Sequence, residues 1–318
     1  VTLPLSPPLA PQLALSRKQL PAGEQYCYEV KLDGFRCIAF VDGEEQYLQS
    51  RNGRPLSRYF PELVLPAGRY VLDGEIVVRD ASGHEDFDAL GQRIHPAASR
   101  IQRLAAETPA VLVVFDLLAD DGESLLERPF SERRAALEQL VASFDGEAPV
   151  ELMQTVATAA EAEAWLQDAE GAIAKERAAP YRPGERKGMV KVKRVRTIDA
   201  VVVGWRPGKH PDTVGALILG LYDDGELRVV GHCSGLTAAE KKRLVDFLRP
   251  YETGQRGSGD ASRWSGGREL EWVELRPELV VEIDFDHVSA GRIRHGAKLR
   301  RWREDKSPRE CTFDQLAS

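Results

Sequence analysis

Lys31, Asp33, Gly34 and Arg36 form the pattern Lys-x-Asp-Gly-x-Arg, the first place where this chain sets reactive side chains at a fixed spacing. A lysine amine is a nucleophile only while neutral. Its reference pKa of about 10.4 must be pulled down by burial or by neighbouring cations, and Arg36 and the later lysines could do that. Lys191 and Lys193 fall on one face of a short strand, because strand side chains alternate, and two cations on one face suit a phosphate. Glu75 is an acid between apolar residues, which is costly unless it is paired or meets a cation. It fits a salt bridge, a ribose contact or a metal contact. Glu170 opens Glu170-Gly-x-x-x-Lys175, and Phe115 lies in the apolar run 111–118, as a core residue or as the flat wall of a purine pocket. Each motif has a plainer reading. Lys31 fits a surface hairpin, Arg51 a solvated strand end, and Lys191 and Lys193 an exposed edge strand guarded against aggregation.

The elements that position these residues are mostly strands. Residues 26–30 and 35–41 are β-prone runs separated by Asp33-Gly34, a strong turn signal, so a hairpin is expected with Lys31 at its lip. Asp42-Gly43 turns the second strand into a third, which ends at Ser50-Arg51-Asn52-Gly53. Residues 69–79 read as a strand interrupted at Asp73-Gly74, where a glycine signals a bulge or the close approach of a ligand. Helices are expected from Ser131, as N-cap, to about Phe144, and from Thr158 to about Ala169. Residues 1–23 hold several prolines and are expected to be an extended arm that packs on the domain or frays.

From about Thr197 the character changes. Strands at 199–205, 214–222, 227–232 and 279–285, with one helix opened by the capping box Thr237-Ala-Ala-Glu240, fit a small five-stranded barrel of the OB type. The Gly- and Ser-rich stretch 254–267 is expected to be a mobile loop. The fold class is therefore α+β in two domains, 1–196 and 197–318, the first with antiparallel sheets and flanking helices.

The 318 residues suit two domains with cores of their own. No apolar run is long enough to span a bilayer, and the Pro- and Leu-rich start lacks the pattern of a signal peptide. Cys27, Cys37, Cys233 and Cys311 have no zinc spacing, and the six histidines form no cluster. A reduced, cytoplasmic, monomeric protein that is not bound to a membrane is expected. The net charge of −7 argues mildly against nucleic acid. Local distribution matters more. Basic residues gather at 187–196 and 292–306, while the acids lie mostly elsewhere. No P-loop, zinc-helix or G-x-S-x-G pattern is present.

Taken in order, Lys31-x-Asp-Gly-x-Arg36, Ser-Arg51-Asn-Gly, Asp-Gly-Glu75, Phe115-Asp, Glu170-Gly-x-x-x-Lys175, Lys191-Val-Lys193 and Arg303-Glu-Asp305-Lys306 resemble the covalent nucleotidyltransferase superfamily. More narrowly, the chain resembles the short bacterial ATP-dependent DNA ligases of repair and end joining that consist of the catalytic core alone, over residues 5 to 315. One departure is Met189, where an aromatic often precedes the Lys-x-Lys pair.

The resemblance implies an adenylation domain followed by an OB-fold domain, and it implies roles. Lys31 attacks the α-phosphate of ATP and carries AMP. Lys191 and Lys193 hold that phosphate. Glu75 meets the ribose or a metal-bound water, and Glu170 helps hold Mg²⁺ or Mn²⁺. Phe115 stacks on adenine, and Glu29 lies beside the base. Arg36 and Arg51 reach the nucleotide and then the phosphates of nicked duplex DNA. Arg303, Asp305 and Lys306 orient pyrophosphate in the first step, and the segment carrying them then swings away by a hinge near 193–197. An end-binding protein or a repair polymerase would be a fitting partner. Three alternatives remain open at this point: an RNA ligase or RNA-capping guanylyltransferase, a nick-binding protein without chemistry, and a plain OB-fold binding module.

Overall fold

A two-residue parallel strand, β1 (Leu15–Ser16), ties the N-terminal arm into a sheet by pairing with residues 190–191. The arm packs rather than frays: Gln12 is buried, and Leu3, Leu5 and Leu9 cover an apolar cluster around Ile38, Phe40 and Tyr181. The computed structural model describes residues 3–259 and 270–316. The chain divides into two compact units, Val1–Arg194 and Val195–Ser318, just ahead of the boundary expected after Arg196.

In the first unit, β1 is followed by β2 (Tyr26–Val30), β3 (Phe35–Gly43), β4 (Glu45–Ser50) and β5 (Gly68–Val78). Helices α1 (Phe87–Gln92) and α2 (Ala98–Glu107) lead to β6 (Ala110–Asp120) and β7 (Glu123–Ser124). Then come α3 (Phe130–Ala142), β8 (Val150–Leu152), β9 (Thr155–Val156), α4 (Ala159–Glu163), α5 (Trp165–Asp168), β10 (Gly171–Glu176) and β11 (Met189–Lys193). They form a five-stranded sheet in the order β1-β11-β10-β2-β9 and a six-stranded sheet in the order β4-β3-β5-β6-β7, with β8 beside β6.

The expected hairpin across Asp33-Gly34 does not exist. β2 and β3 belong to different sheets, and residues 31–34 carry the chain from one to the other. β2 finds its partners in β10 and β9, and β3 in β4 and β5. Gly34 is needed for closeness rather than for a turn, since a Cβ there would lie 2.4 Å from the Ile76 carbonyl oxygen. β6 reads as one apolar run because both its faces are covered. Leu112 and Val114 join the cluster of Leu72, Ile76 and Leu137, while Val113 and Phe115 join Val77 and Met153 on the other side.

Three other readings need correction. Ser131 is not the N-cap of α3; Pro129 is, and the Ser131 N–H donates to the Arg177 carbonyl at 2.9 Å. The helix expected over 158–169 breaks at Ala164 into α4 and α5, although Thr158 caps α4 in a capping box with Glu161. β11 is not an edge strand, because β1 and β10 flank it.

The second unit contains β12 (Arg196–Pro207), β13 (Val214–Asp223), β14 (Glu226–Gly235), α6 (Ala238–Leu248), β15 (Glu252–Gly259), β16 (Leu270–Leu275), β17 (Val280–Phe285), β18 (Val288–Ser289), β19 (Arg292–Ile293) and β20 (Ala297–Trp302). The order β13-β14-β20-β17-β12 closes on itself through the pairing of β12 with β13, which makes a five-stranded barrel. β12 is long enough to serve two neighbours on one side: its first half pairs with β17 and its second with β16. Gly204 allows this, since a Cβ there would lie 2.2 Å from the Trp272 ring. Val201, Leu217, Leu219, Val230 and Ile283 fill the barrel core. The stretch 254–267, expected as a loop, begins as strand β15; residues 260–269 lie outside the described residues.

Candidate active site

The register of the five-stranded sheet builds the site. Ile173 of β10 stands opposite Glu29 of β2 and Lys191 of β11, and Lys175 stands opposite Met189. Alternation puts all five on one face. The opposite face, with Tyr28, Ala172 and Ala174, packs on Trp165 and Leu166. The first face floors a cavity of roughly 180 Å³ whose walls include Lys31, Arg36, Arg51, Glu75 and Phe115.

Lys31 follows the last residue of β2, and its backbone N–H donates to the Gly171 carbonyl at 2.9 Å. That bond seats Lys31 beside Glu170, just before β10. The Lys31 Nζ donates to the Glu170 carboxylate and to the Leu32 carbonyl at 3.3 Å. Glu170 also meets the Lys193 Nζ at 3.6 Å. The close approach of β10 to β11 needs a glycine at 171. Its φ is +150°, and a Cβ would lie 2.2 Å from the Val192 carbonyl oxygen.

At the apolar end, Glu29 is 2% exposed and pairs with the Lys175 Nζ at 2.8 Å. Burial pushes the Glu29 carboxyl up, against the pull of Lys175. Only one of its oxygens is used; Oε1 is buried with no hydrogen-bond partner. An unpaired buried acceptor in a cavity calls for a donor from a ligand. Phe115 is 8% exposed, with the Lys175 Nζ 4.5 Å and the Arg36 guanidinium 4.7 Å from its ring centroid. Arg36 forks onto the fully buried Asp73 at 2.6 and 2.7 Å, and the Tyr181 hydroxyl donates to the same carboxylate at 2.6 Å.

At the polar end stand Arg51, Arg186, Lys191 and Lys193. Burial, then Lys193, Lys31, Arg51 and Arg186, lowers the pKa of the Lys191 amine. Glu75 faces this end. Burial pushes its carboxyl up to about 7, with Arg36 and Lys31 opposing and Asp73 and Glu170 reinforcing. A cavity with an unpaired acceptor, an aromatic wall and a cluster of cations around a lysine matches the chemical outline of a nucleoside phosphate.

Comparison with known proteins agrees. The family model for the ATP dependent DNA ligase domain matches residues 7–193, and that for the ATP dependent DNA ligase C terminal region matches residues 210–306. DNA ligase C1 of Mycolicibacterium smegmatis is 44% identical over 336 residues, covering 99% of this chain and 95% of that protein. The chain belongs to the ATP-dependent DNA ligases. DNA ligase C of Mycobacterium tuberculosis is also 44% identical, over 345 residues with the same coverage. A solved structure, mycobacterial DNA ligase D complexed with ATP and MES, is 30% identical, covers 96% of this chain and 98% of its own, and has a TM-score of 0.54.

The remaining expected residues of the ligase, Arg303, Asp305 and Lys306, belong to the second unit. Arg303 forks onto Asp305 at 2.8 and 2.9 Å, which holds the Asp305 carboxyl down at about 2. Arg303 and Lys306 also share one acid, Asp199.

No group of three or more His, Cys, Asp or Glu side chains with metal-ligand spacing occurs among the described residues. That does not argue against Mg²⁺, which takes one or two carboxylates together with phosphate oxygens and water. Glu170 is close enough for its charge to raise the Glu75 carboxyl, and the two acids fit that donor set. No helix of the ligase is long and apolar enough to cross a membrane, among the described residues.

Sequence reasoning named Lys175 and Asp73 within motifs but gave them no role, and it missed Tyr181 and Arg186 as parts of the site. A lysine in an otherwise apolar strand demands a buried acid, and that was the available signal for Lys175. Nothing local marked Arg186.

Proposed function

We propose that this ligase seals nicks in duplex DNA through a covalent AMP on Lys31. The observation that carries the reading is the Lys31 amine beside a cavity with the orphaned Glu29 Oε1 at one end and the Arg51, Arg186 and Lys191 cations at the other. Adenine would present its amino group to Glu29 Oε1 and its face to Phe115. The Lys31 Nζ attacks the α-phosphorus, a P–N bond forms, the P–O bond to pyrophosphate breaks, and the amine proton leaves, with Glu170 as the nearest acceptor. Lys191 and Lys193 spread the charge of the in-line displacement. Mg²⁺ or Mn²⁺ held by Glu75 and Glu170 would neutralise phosphate charge.

AMP then passes to the 5′-phosphate of the nick, breaking the P–N bond and restoring the Lys31 amine. The 3′-hydroxyl attacks that phosphate and AMP departs. Arg36 and Arg51 serve the nucleotide and then the nick phosphates. Arg303, Asp305 and Lys306 serve the first step. A 5′-labelled nicked duplex tests the proposal. Sealing is expected with ATP and Mg²⁺, and no sealing from Lys31→Ala. Equal sealing by the variant would overturn the assignment.

A further inference from the structure

Asp199 lies early in β12, is 8% exposed and carries no role in the reading above. Both its oxygens receive the Arg303 Nη1, each at 3.0 Å, and Oδ2 also receives the Lys306 Nζ at 2.8 Å. The carboxylate is itself held firmly. Gln315 Oε1 accepts from the Asp199 N–H at 3.1 Å, and Gln315 Nε2 donates to the Asp199 carbonyl at 3.1 Å. Strand register fixes the other side, with Asp199 opposite Glu282 of β17 and the Arg303 N–H donating to the Val280 carbonyl at 2.8 Å. Asp305 holds Arg303 but makes no bond to Lys306. Asp199 is therefore the one acid among the described residues that fixes both cations at once.

We infer that Asp199 is the positioning residue for Arg303 and Lys306 in self-adenylation, setting the place and spacing of the two cations that meet the leaving pyrophosphate. This rests on the reading that those cations serve the first step. The physical ground is preorganisation. Arg and Lys side chains left to sample many rotamers are poor at orienting a leaving group, and a small misplacement costs rate rather than affinity. One buried carboxylate shared by both removes that freedom without touching substrate.

The test uses the full chain with Asp199→Asn, which keeps the shape and loses the charge. Single-turnover self-adenylation is followed against ATP concentration. Sealing of a nicked duplex whose 5′-phosphate already carries AMP is followed without ATP. The maximal adenylation rate should fall at least about tenfold, with half-saturating ATP and the sealing of the pre-adenylated nick within about threefold. Lys306→Met and the double variant complete a cycle, and Asp199→Asn should cost less in the Lys306→Met background than in the parent, because only Arg303 is then left for Asp199 to hold. Equal loss in both reactions, no loss, or losses that multiply would overturn the inference. Unchanged adenylation in Lys306→Met would instead remove the first-step reading beneath it. If Asp199→Asn does not fold, Asp199→Glu moves the same charge by one methylene, and the same step-specific loss is expected.

Discussion

Lys175 shows what a buried charge does for this site. It sits 3% exposed beneath Phe115, neutralises Glu29 and leaves one buried Glu29 oxygen without a hydrogen-bond partner. Lys175→Met would strand a buried carboxylate, and losing one partner of such a pair costs about 3–5 kcal/mol. Urea denaturation should show that loss at neutral pH, and the loss should shrink in Lys175→Met/Glu29→Gln. Glu75 gives a second prediction, with its sign set by burial. Its folded pKa of about 7 exceeds the ordinary value of 4.5, so between these values the unfolded chain has released the proton and the folded chain keeps it. Stability from this group is therefore full below about pH 4.5 and is lost as pH rises through 7. Glu75→Gln should match the parent in stability at low pH, gain on it from pH 4.5 to 7 and hold a constant lead above. A lead that is flat or reversed across thermal melts at those pH values would contradict the account. Lys31, Glu75, Phe115 and Lys191 line the cavity, and they could be singled out beforehand because each sits in a short local pattern. Lys175 and Asp73 were not given their roles, because those depend on partners 146 and 37 positions away.

At the scale of elements, strands were read well and their partners poorly. Alternation and turn residues mark where a strand runs, but pairing is decided by contacts distant in sequence. Asp33-Gly34 therefore looked like a hairpin turn, when its glycine serves the close passage of the chain beneath the Ile76 carbonyl. Gly171 is the sharper example. Substituting alanine would force a Cβ against the Val192 carbonyl oxygen at a φ of +150°. Gly171→Ala should cost about 1–3 kcal/mol in denaturant and should slow self-adenylation as well, because the Lys31 N–H bonds to the carbonyl of residue 171 itself, which the clash would shift. A stable variant with unchanged adenylation would remove the claim that β10 and β2 seat the nucleophile together.

Over the whole molecule, the closed barrel of the second unit was legible as a class from its short strands and single helix. The extension of β15 and β16 beyond it was hidden in a Gly- and Ser-rich stretch that composition alone assigns to a loop. Net charge was the least informative number. At −7 it argues against DNA, yet cations gather at the cavity and along 292–306. An acidic protein with a local basic surface should bind duplex modestly and lose affinity steeply with salt. We predict at least a tenfold fall for a nicked duplex between about 50 and about 200 mM salt; a salt-insensitive complex in fluorescence anisotropy would contradict this.

The most direct test of the central claim is the intact mass of the purified protein after ATP and Mg²⁺, measured beside Lys31→Ala. One AMP adduct on the parent and none on the variant is the predicted result. A folded parent without an adduct, or a variant that keeps one, would contradict the assignment of Lys31 as the nucleophile.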